Sequence, residues 1–193
     1  NGRVLSLLSG GAGNHNYFHW IFDVLPRFAL CEKTIDLEKV DFFLLPSLDK
    51  KYQNETLKSL DIPLEKCLSS KFYRHISASE LIVTDHPYVI TNDAHKDIQN
   101  IPIWISDWLK KKYIKKSLSN TNDYPKKIYI DRRDSTANMK DARIILNESE
   151  IKNLLENNEF KSLQLGKIDF DQQVKIFNNA DIIVGLHGAG FAN

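Results

Sequence analysis

The chain has 193 residues, a length that suits one large domain or parts of two. Hydrophobic residues at 42% and charged residues at 26% sit near globular averages, which excludes a disordered or fibrous chain. With 26 Lys plus Arg against 25 Asp plus Glu, a net charge of +1 gives no field that would draw a polyanion, so nucleic acid is not an implied partner.

No apolar stretch nears the roughly 20 residues that span a bilayer, and no signal peptide is visible. Cys31 and Cys67 lack short-spaced Cys or His partners, so neither a disulfide framework nor a zinc site is indicated and a reducing compartment fits.

Residues 3–9 read as a short apolar strand, followed by Gly10-Gly11-Ala12-Gly13 and a helical pattern over 14–30. The glycines lack GxGxxG spacing and an acidic residue at a second strand end. They form a permissive turn, which either lets a ligand approach the next helix or simply redirects the chain. On that helix His15, His19 and Asp23 recur at steps of four and share a face, where Asp23 can hold the His19 imidazole in one tautomer. That pairing resembles a general base and its orienter. Arg27 lies four past Asp23, and an ion pair closing the helix near Pro26 is the alternative.

Residues 41–45, closed by Pro46, form a second buried strand, 52–60 a helix, 80–84 a third strand and 103–118 a long amphipathic helix with a basic outer face. Residues 61–79 show no clear period. The run Lys110, Lys111, Lys112, Lys115, Lys116 reads as a solvated helix face, with an anionic membrane surface as the alternative.

Residues 117–125 are rich in turn formers and mark a linker. Beyond it come a strand at 127–130, a helix at 147–157, a strand at 160–165, a helix at 169–178 and a continuous apolar strand at 181–186 of the parallel-sheet kind. This alternation predicts right-handed βαβ crossovers. The expected fold class is therefore α/β, with units at 1–121 and 122–193 and a ligand cleft at the carboxyl ends of the strands.

Arg132 and Arg133 emerge where the strand at 127–130 ends, and Arg143 follows ahead of the next helix. Their guanidinium forks suit a diphosphate, with salt bridges to Asp131, Asp134 and Asp141 as the alternative. Asn147-Glu148-Ser149-Glu150 opens a helix as an Asn cap with carboxylates in its first turn, and a carboxylate there can also accept from a ribose. Asp169-Phe170-Asp171 spells the DxD of metal-dependent sugar transferases, but Asp169 at a helix start makes a good cap, so no metal site is assigned. The last strand runs into His187-Gly188-Ala189-Gly190, whose small residues let backbone amides approach a phosphate, with a plain glycine turn as the alternative. No helix follows in the sequence, so both ends read as cut from a longer chain.

In order, Asn16-Tyr17-Phe18-His19-Trp20 with Leu25-Pro26-Arg27, Ile128-Tyr129-Ile130-Asp131-Arg132-Arg133, Arg143 with Asn147-Glu148, Phe170-Asp171-Gln172-Gln173, and His187-Gly188-Ala189-Gly190 with Asn193 resemble glycosyltransferase family 61. The five motifs span nearly the whole chain. That family includes plant xylosyltransferases, eukaryotic N-acetylglucosaminyl transferases acting on protein, and bacterial proteins of capsular polysaccharide synthesis.

The resemblance implies a GT-B arrangement of two Rossmann-like units, the second incomplete at its C-terminus. It also implies inverting transfer of a sugar from a nucleotide sugar, UDP-linked, to a glycan or protein-linked hydroxyl, without an obligatory metal or other cofactor. Carried over, Arg132, Arg143, His187, Gly188, Ala189, Gly190 and Asn193 lie around the diphosphate. Arg133, Asn147 and Glu148 complete the expected nucleotide-sugar set, and His19 with Asp23 faces the acceptor. Asp131 stands where the family often has a small polar residue, and Phe191-Ala192 replace the commoner Leu-Thr. Lys- and Asn-rich usage adds the expectation of a bacterial, cytoplasmic enzyme of surface polysaccharide synthesis, peripheral to the inner face of the membrane where its basic run touches it. The rivals are a non-catalytic nucleotide- or sugar-binding module and a nucleotide-dependent oxidoreductase, the second disfavoured by the missing dinucleotide spacing.

Overall fold

The computed structural model describes residues 2–9, 13, 15–91, 93–117, 124–136 and 144–193. Spatial proximity divides the chain into two compact units, Asn1–Lys112 and Tyr113–Asn193. Of the turn-rich stretch expected as a linker, 118–123 lies outside the described residues.

In the first unit β1 (Arg3–Ser6), β2 (Phe42–Leu45), β3 (Cys67–Ser69) and β4 (Glu80–Val83) form a parallel sheet of order β3-β2-β1-β4. Adjacent residues of a strand point to opposite faces, so burial of both Val4 and Leu5 means that β1 is covered on each side, as parallel sheets require. Its register runs from Val4 opposite Phe42 to Ser6 opposite Leu44 on one side, and from Arg3 opposite Glu80 to Ser6 opposite Val83 on the other. Strand β3 lies in the stretch that showed no period, because three residues are too few to display one.

The helical pattern after β1 starts at Tyr17, where the Asn16 carboxamide oxygen accepts the Phe18 N–H at 3.0 Å and caps the first turn. His15 therefore precedes the helix and does not share its face. The helix is not uniform. α1 (Tyr17–His19) passes into a π-helical turn, Trp20–Val24, in which the Leu25 N–H reaches the Trp20 carbonyl at 3.1 Å. α2 (Pro26–Cys31) restarts at Pro26, a residue with no N–H to satisfy at a first helical position.

α3 (Lys51–Ser59) braces this segment from below: the buried Trp20 indole donates to Thr56 Oγ1 at 2.9 Å, and Gln53 Nε2 donates to the Gly13 carbonyl at 3.1 Å. α4 (Ala94–Gln99) follows β4, and α5 (Ile103–Ser117) carries the lysine run, whose Lys112 Nζ is 2.7 Å from Glu32. The side chains of Lys115 and Lys116 lie outside the described residues.

In the second unit β5 (Lys127–Ile130), β6 (Lys161–Leu163) and β7 (Ile182–Gly185) form a parallel sheet of order β6-β5-β7. The helices are α6 (Arg133–Thr136), α7 (Glu148–Asn157) and α8 (Phe170–Asn179). The last three residues of β5, Ile128, Tyr129 and Ile130, are buried, as are Phe170 and Ile176 of α8, and the Tyr113 ring meets Phe170 edge-on at 4.9 Å. A 3-10 turn, Ala189–Ala192, follows Gly188.

The α/β class with parallel sheets is as expected. In each unit the first strand has neighbours reached in opposite directions, β2 against β4 and β6 against β7. Such a switch point opens a crevice at the carboxyl ends of the strands, where ligands bind in open α/β sheets. Among the described residues no helix is long and apolar enough to cross a membrane.

Candidate functional site

At the switch point of the first unit, the helix after β1 meets the loop after β4. His19 Nδ1 lies 2.7 Å from Asp23 Oδ2, the pairing that their spacing of four predicted. Asp23 is 4% exposed, whereas the His19 side chain is 37% exposed. One ring nitrogen of a partly exposed imidazole is thus tied to a buried carboxylate, an arrangement that can orient a general base.

The other Asp23 oxygen, Oδ1, accepts the Tyr88 hydroxyl at 2.6 Å, and His86 Nε2 stands 4.0 Å from it. Burial first, and the hydrogen bond to Asp23 second, raise the Tyr88 phenol far above the usual tyrosine range. Arg27, the ionic partner of Asp23 in the alternative reading, donates from Nε to the Asp23 carbonyl at 2.9 Å and from Nη1 to the Thr84 carbonyl at 3.4 Å. With its carboxylate oxygens facing Tyr88 and His19, Asp23 offers Arg27 its main chain. Tyr88 and His86 were missed in the sequence because nothing in local spacing joins them to Asp23. Their position just past the end of β4 is the signal that could have found them.

At the switch point of the second unit, Arg132 follows β5 and His187 follows β7. Arg132 Nη1 donates to the His187 carbonyl at 2.8 Å, and the guanidinium lies over Gly188 so closely that a Cβ there would meet Arg132 Cζ at 2.7 Å. Arg133 has a different fate. It grips the buried Asp131 through Nε, at 3.0 Å from each carboxylate oxygen, and through Nη2, so the salt-bridge alternative describes this arginine. That grip, chiefly, lowers the Asp131 carboxyl to about 2.

A small, solvent-open pocket is lined by Tyr129, Ile130, Arg132, Ile144, Ile145, Glu148 and Leu186. Glu148 Oε1 accepts the Tyr129 hydroxyl at 2.9 Å, and burial with that bond pushes the phenol up to about 12. Asn147 occupies the N-cap position of α7 without capping it, since its side-chain amide donates to Glu150 at 3.4 Å instead. Arg143 lies outside the described residues.

The glycine loop is held from behind. Asn193 Nδ2 donates to the Gly190 carbonyl at 3.1 Å and to Gln173 Oε1 at 3.2 Å, while Gln173 Nε2 donates to the carbonyls of Leu165 and Ile168 at 2.9 and 2.8 Å. Gln173 is 7% exposed, so these bonds replace water that the site excludes. Asp169 sits at the N-cap position of α8 without a side-chain cap bond, and Asp171 pairs with Lys175 at 2.6 Å. Among the described residues no group of three His, Cys, Asp or Glu is arranged to hold a metal ion.

The structure therefore gathers His19, Asp23, His86 and Tyr88 at one edge, and Arg132, Glu148, His187 and Gly188 at another. Neither the curated proteins nor the solved structures contain a match to this chain. The family model described as Glycosyltransferase 61 matches residues 17–193.

Proposed function

Since the chain belongs to glycosyltransferase family 61, we propose that it moves a sugar from a UDP-linked donor to a glycan hydroxyl with inversion, in the synthesis of a surface polysaccharide. In this reading the acceptor hydroxyl gives its proton to His19 Nε2 while its oxygen attacks the anomeric carbon. The bond from that carbon to the diphosphate oxygen breaks from the opposite side, which inverts the centre. Arg132 and the main chain of 187–190 meet the negative charge that leaves with the diphosphate. Glu148, on the pocket wall, accepts from the ribose, and Arg143 adds a second cation. The reading invokes no metal. It places the enzyme in the cytoplasm, with the exposed Lys110 and Lys111 available to an anionic membrane face.

The observation that carries this reading is the Arg132 guanidinium, held at 2.8 Å against the His187 carbonyl where two neighbouring parallel strands end. A panel of nucleotide sugars, with the glycan product detected directly, tests it. Arg132→Ala is expected to lower kcat/KM for the UDP sugar about a hundredfold, roughly 3 kcal/mol of transition-state stabilisation. Unchanged kinetics remove Arg132 from the reaction. Donor binding without product from any sugar favours the non-catalytic module.

A further inference from the structure

Two imidazoles face one carboxylate in the first unit. Asp23 can orient only one of them well, because its buried oxygens have few approaches. His19 Nδ1 stands at 2.7 Å from Oδ2 and His86 Nε2 at 4.0 Å from Oδ1. Something must settle the contest in favour of His19. Tyr88 is placed to do so twice. Its hydroxyl donates to Oδ1 at 2.6 Å, filling the side of the carboxylate that His86 approaches. Its main-chain carbonyl lies 2.9 Å from His86 Nδ1, and the two rings meet edge-on at 4.4 Å. Nδ1 also lies 3.4 Å from the Tyr88 main-chain N–H, but the carbonyl at 2.9 Å is the nearer partner and only accepts, so the shorter contact favours a neutral His86 with its proton on Nδ1 and none on the nitrogen that faces Asp23.

Arg27 fixes the frame, since its bonds to the carbonyls of Asp23 and Thr84 tie the π-helical turn to the loop that carries His86 and Tyr88. Burial, reinforced by Asp23, keeps the Tyr88 phenol protonated and hence a permanent donor.

We propose that Tyr88 is a positioning residue for His19: it occupies Asp23 Oδ1 with its hydroxyl and holds His86 in the tautomer that cannot compete, which leaves Oδ2 to orient His19. The consequence for catalysis rests on the reading of His19 as the general base, while the positional claim does not. Without the hydroxyl, Oδ1 is a buried acceptor lacking its donor, and rotation of the carboxylate toward a reprotonated His86 restores one at the expense of His19.

Tyr88→Phe, which removes one oxygen and keeps the ring and the carbonyl, tests this in two ways. Ring-nitrogen NMR is expected to show His19 as a single Nδ1–H tautomer in the parent and as a mixture in the variant. Steady-state kinetics should show kcat about tenfold lower with both KM values within about twofold, because orientation of the base is lost and binding is not. Adding His86→Ala removes the competitor, so the double variant should recover part of kcat and of the His19 tautomer. An unchanged His19 nitrogen pattern in Tyr88→Phe, or an equal loss of kcat with and without His86, would overturn the proposal. His19→Gln with full activity would instead sink the base assignment, and the nitrogen spectra would still decide the role of Tyr88.

Discussion

His19 and Asp23 could be paired from sequence because four residues make one helical step, and the structure sets them 2.7 Å apart. Tyr88, which completes the set, is 65 residues from Asp23, and no local rule reaches that far. The same contrast separates the two arginines. Side by side in sequence they looked equivalent, yet β5 ends so that Arg132 turns to the His187 loop while Arg133 turns back onto Asp131. Gly188 gives a prediction at this scale. Its φ of 171° is extended backbone open to any residue, so Gly188→Ala introduces no backbone strain. The new methyl group would instead push the flexible Arg132 guanidinium away. Denaturant stability is expected to stay within about 0.5 kcal/mol of the parent. The donor KM should rise about fivefold, close to 1 kcal/mol of lost binding. Lower stability with an unchanged KM would mean that the glycine serves only the turn.

Among the elements, the apolar runs that became β1, β2, β4, β5 and β7 were visible as uninterrupted apolar stretches, which burial accounts for in β1, β2 and β5, whereas Leu81 and Val83 of β4 and Ile182 and Val184 of β7 are exposed. The missed ones, β3 with three residues, α4 with six and α6 with four, are shorter than the window over which a period can be recognised. Capping chemistry was not legible: of the caps expected, Asn147 turns to Glu150 and Asp169 makes no side-chain cap bond, whereas Asn16, for which no cap was expected, caps its helix. The π-helical turn was not legible, although Pro26 marks its end. That turn is braced by the buried Trp20 indole, which donates to Thr56 Oγ1 at 2.9 Å. Thr56→Val keeps the shape and removes the acceptor, leaving a buried N–H unpaired at a cost of about 1–3 kcal/mol. Urea unfolding followed by tryptophan emission measures this, and an unchanged midpoint would show that the brace contributes nothing.

The molecule as a whole has two units, and they should answer acid differently. All 3 tryptophans, Trp20, Trp104 and Trp108, belong to the first unit, so their emission follows that unit. The second unit holds Asp131, 2% exposed, lowered to about 2 chiefly by Arg133. A carboxyl depressed in the folded state stabilises it above the unfolded value near 4, and that stabilisation disappears as pH falls through the folded value. The second unit should therefore lose at most about 2 kcal/mol between about pH 4 and pH 2. Amide exchange in β5 against pH records this loss, and Asp131→Asn should flatten the dependence while lowering stability at neutral pH. Equal slopes for parent and variant would remove the Asp131 pair from the acid response.

By itself the sequence determined the α/β class, most element positions, the His19–Asp23 pair and the ordered motifs of a sugar-transferase family. These rest on period, composition and spacing, which are local properties of a chain. Only the tertiary structure decided that Arg132 meets His187 across 55 residues and that Tyr88 meets Asp23. Those meetings depend on which strands lie side by side, an order set by packing of the whole sheet, and the loops at its carboxyl edge inherit their neighbours from it.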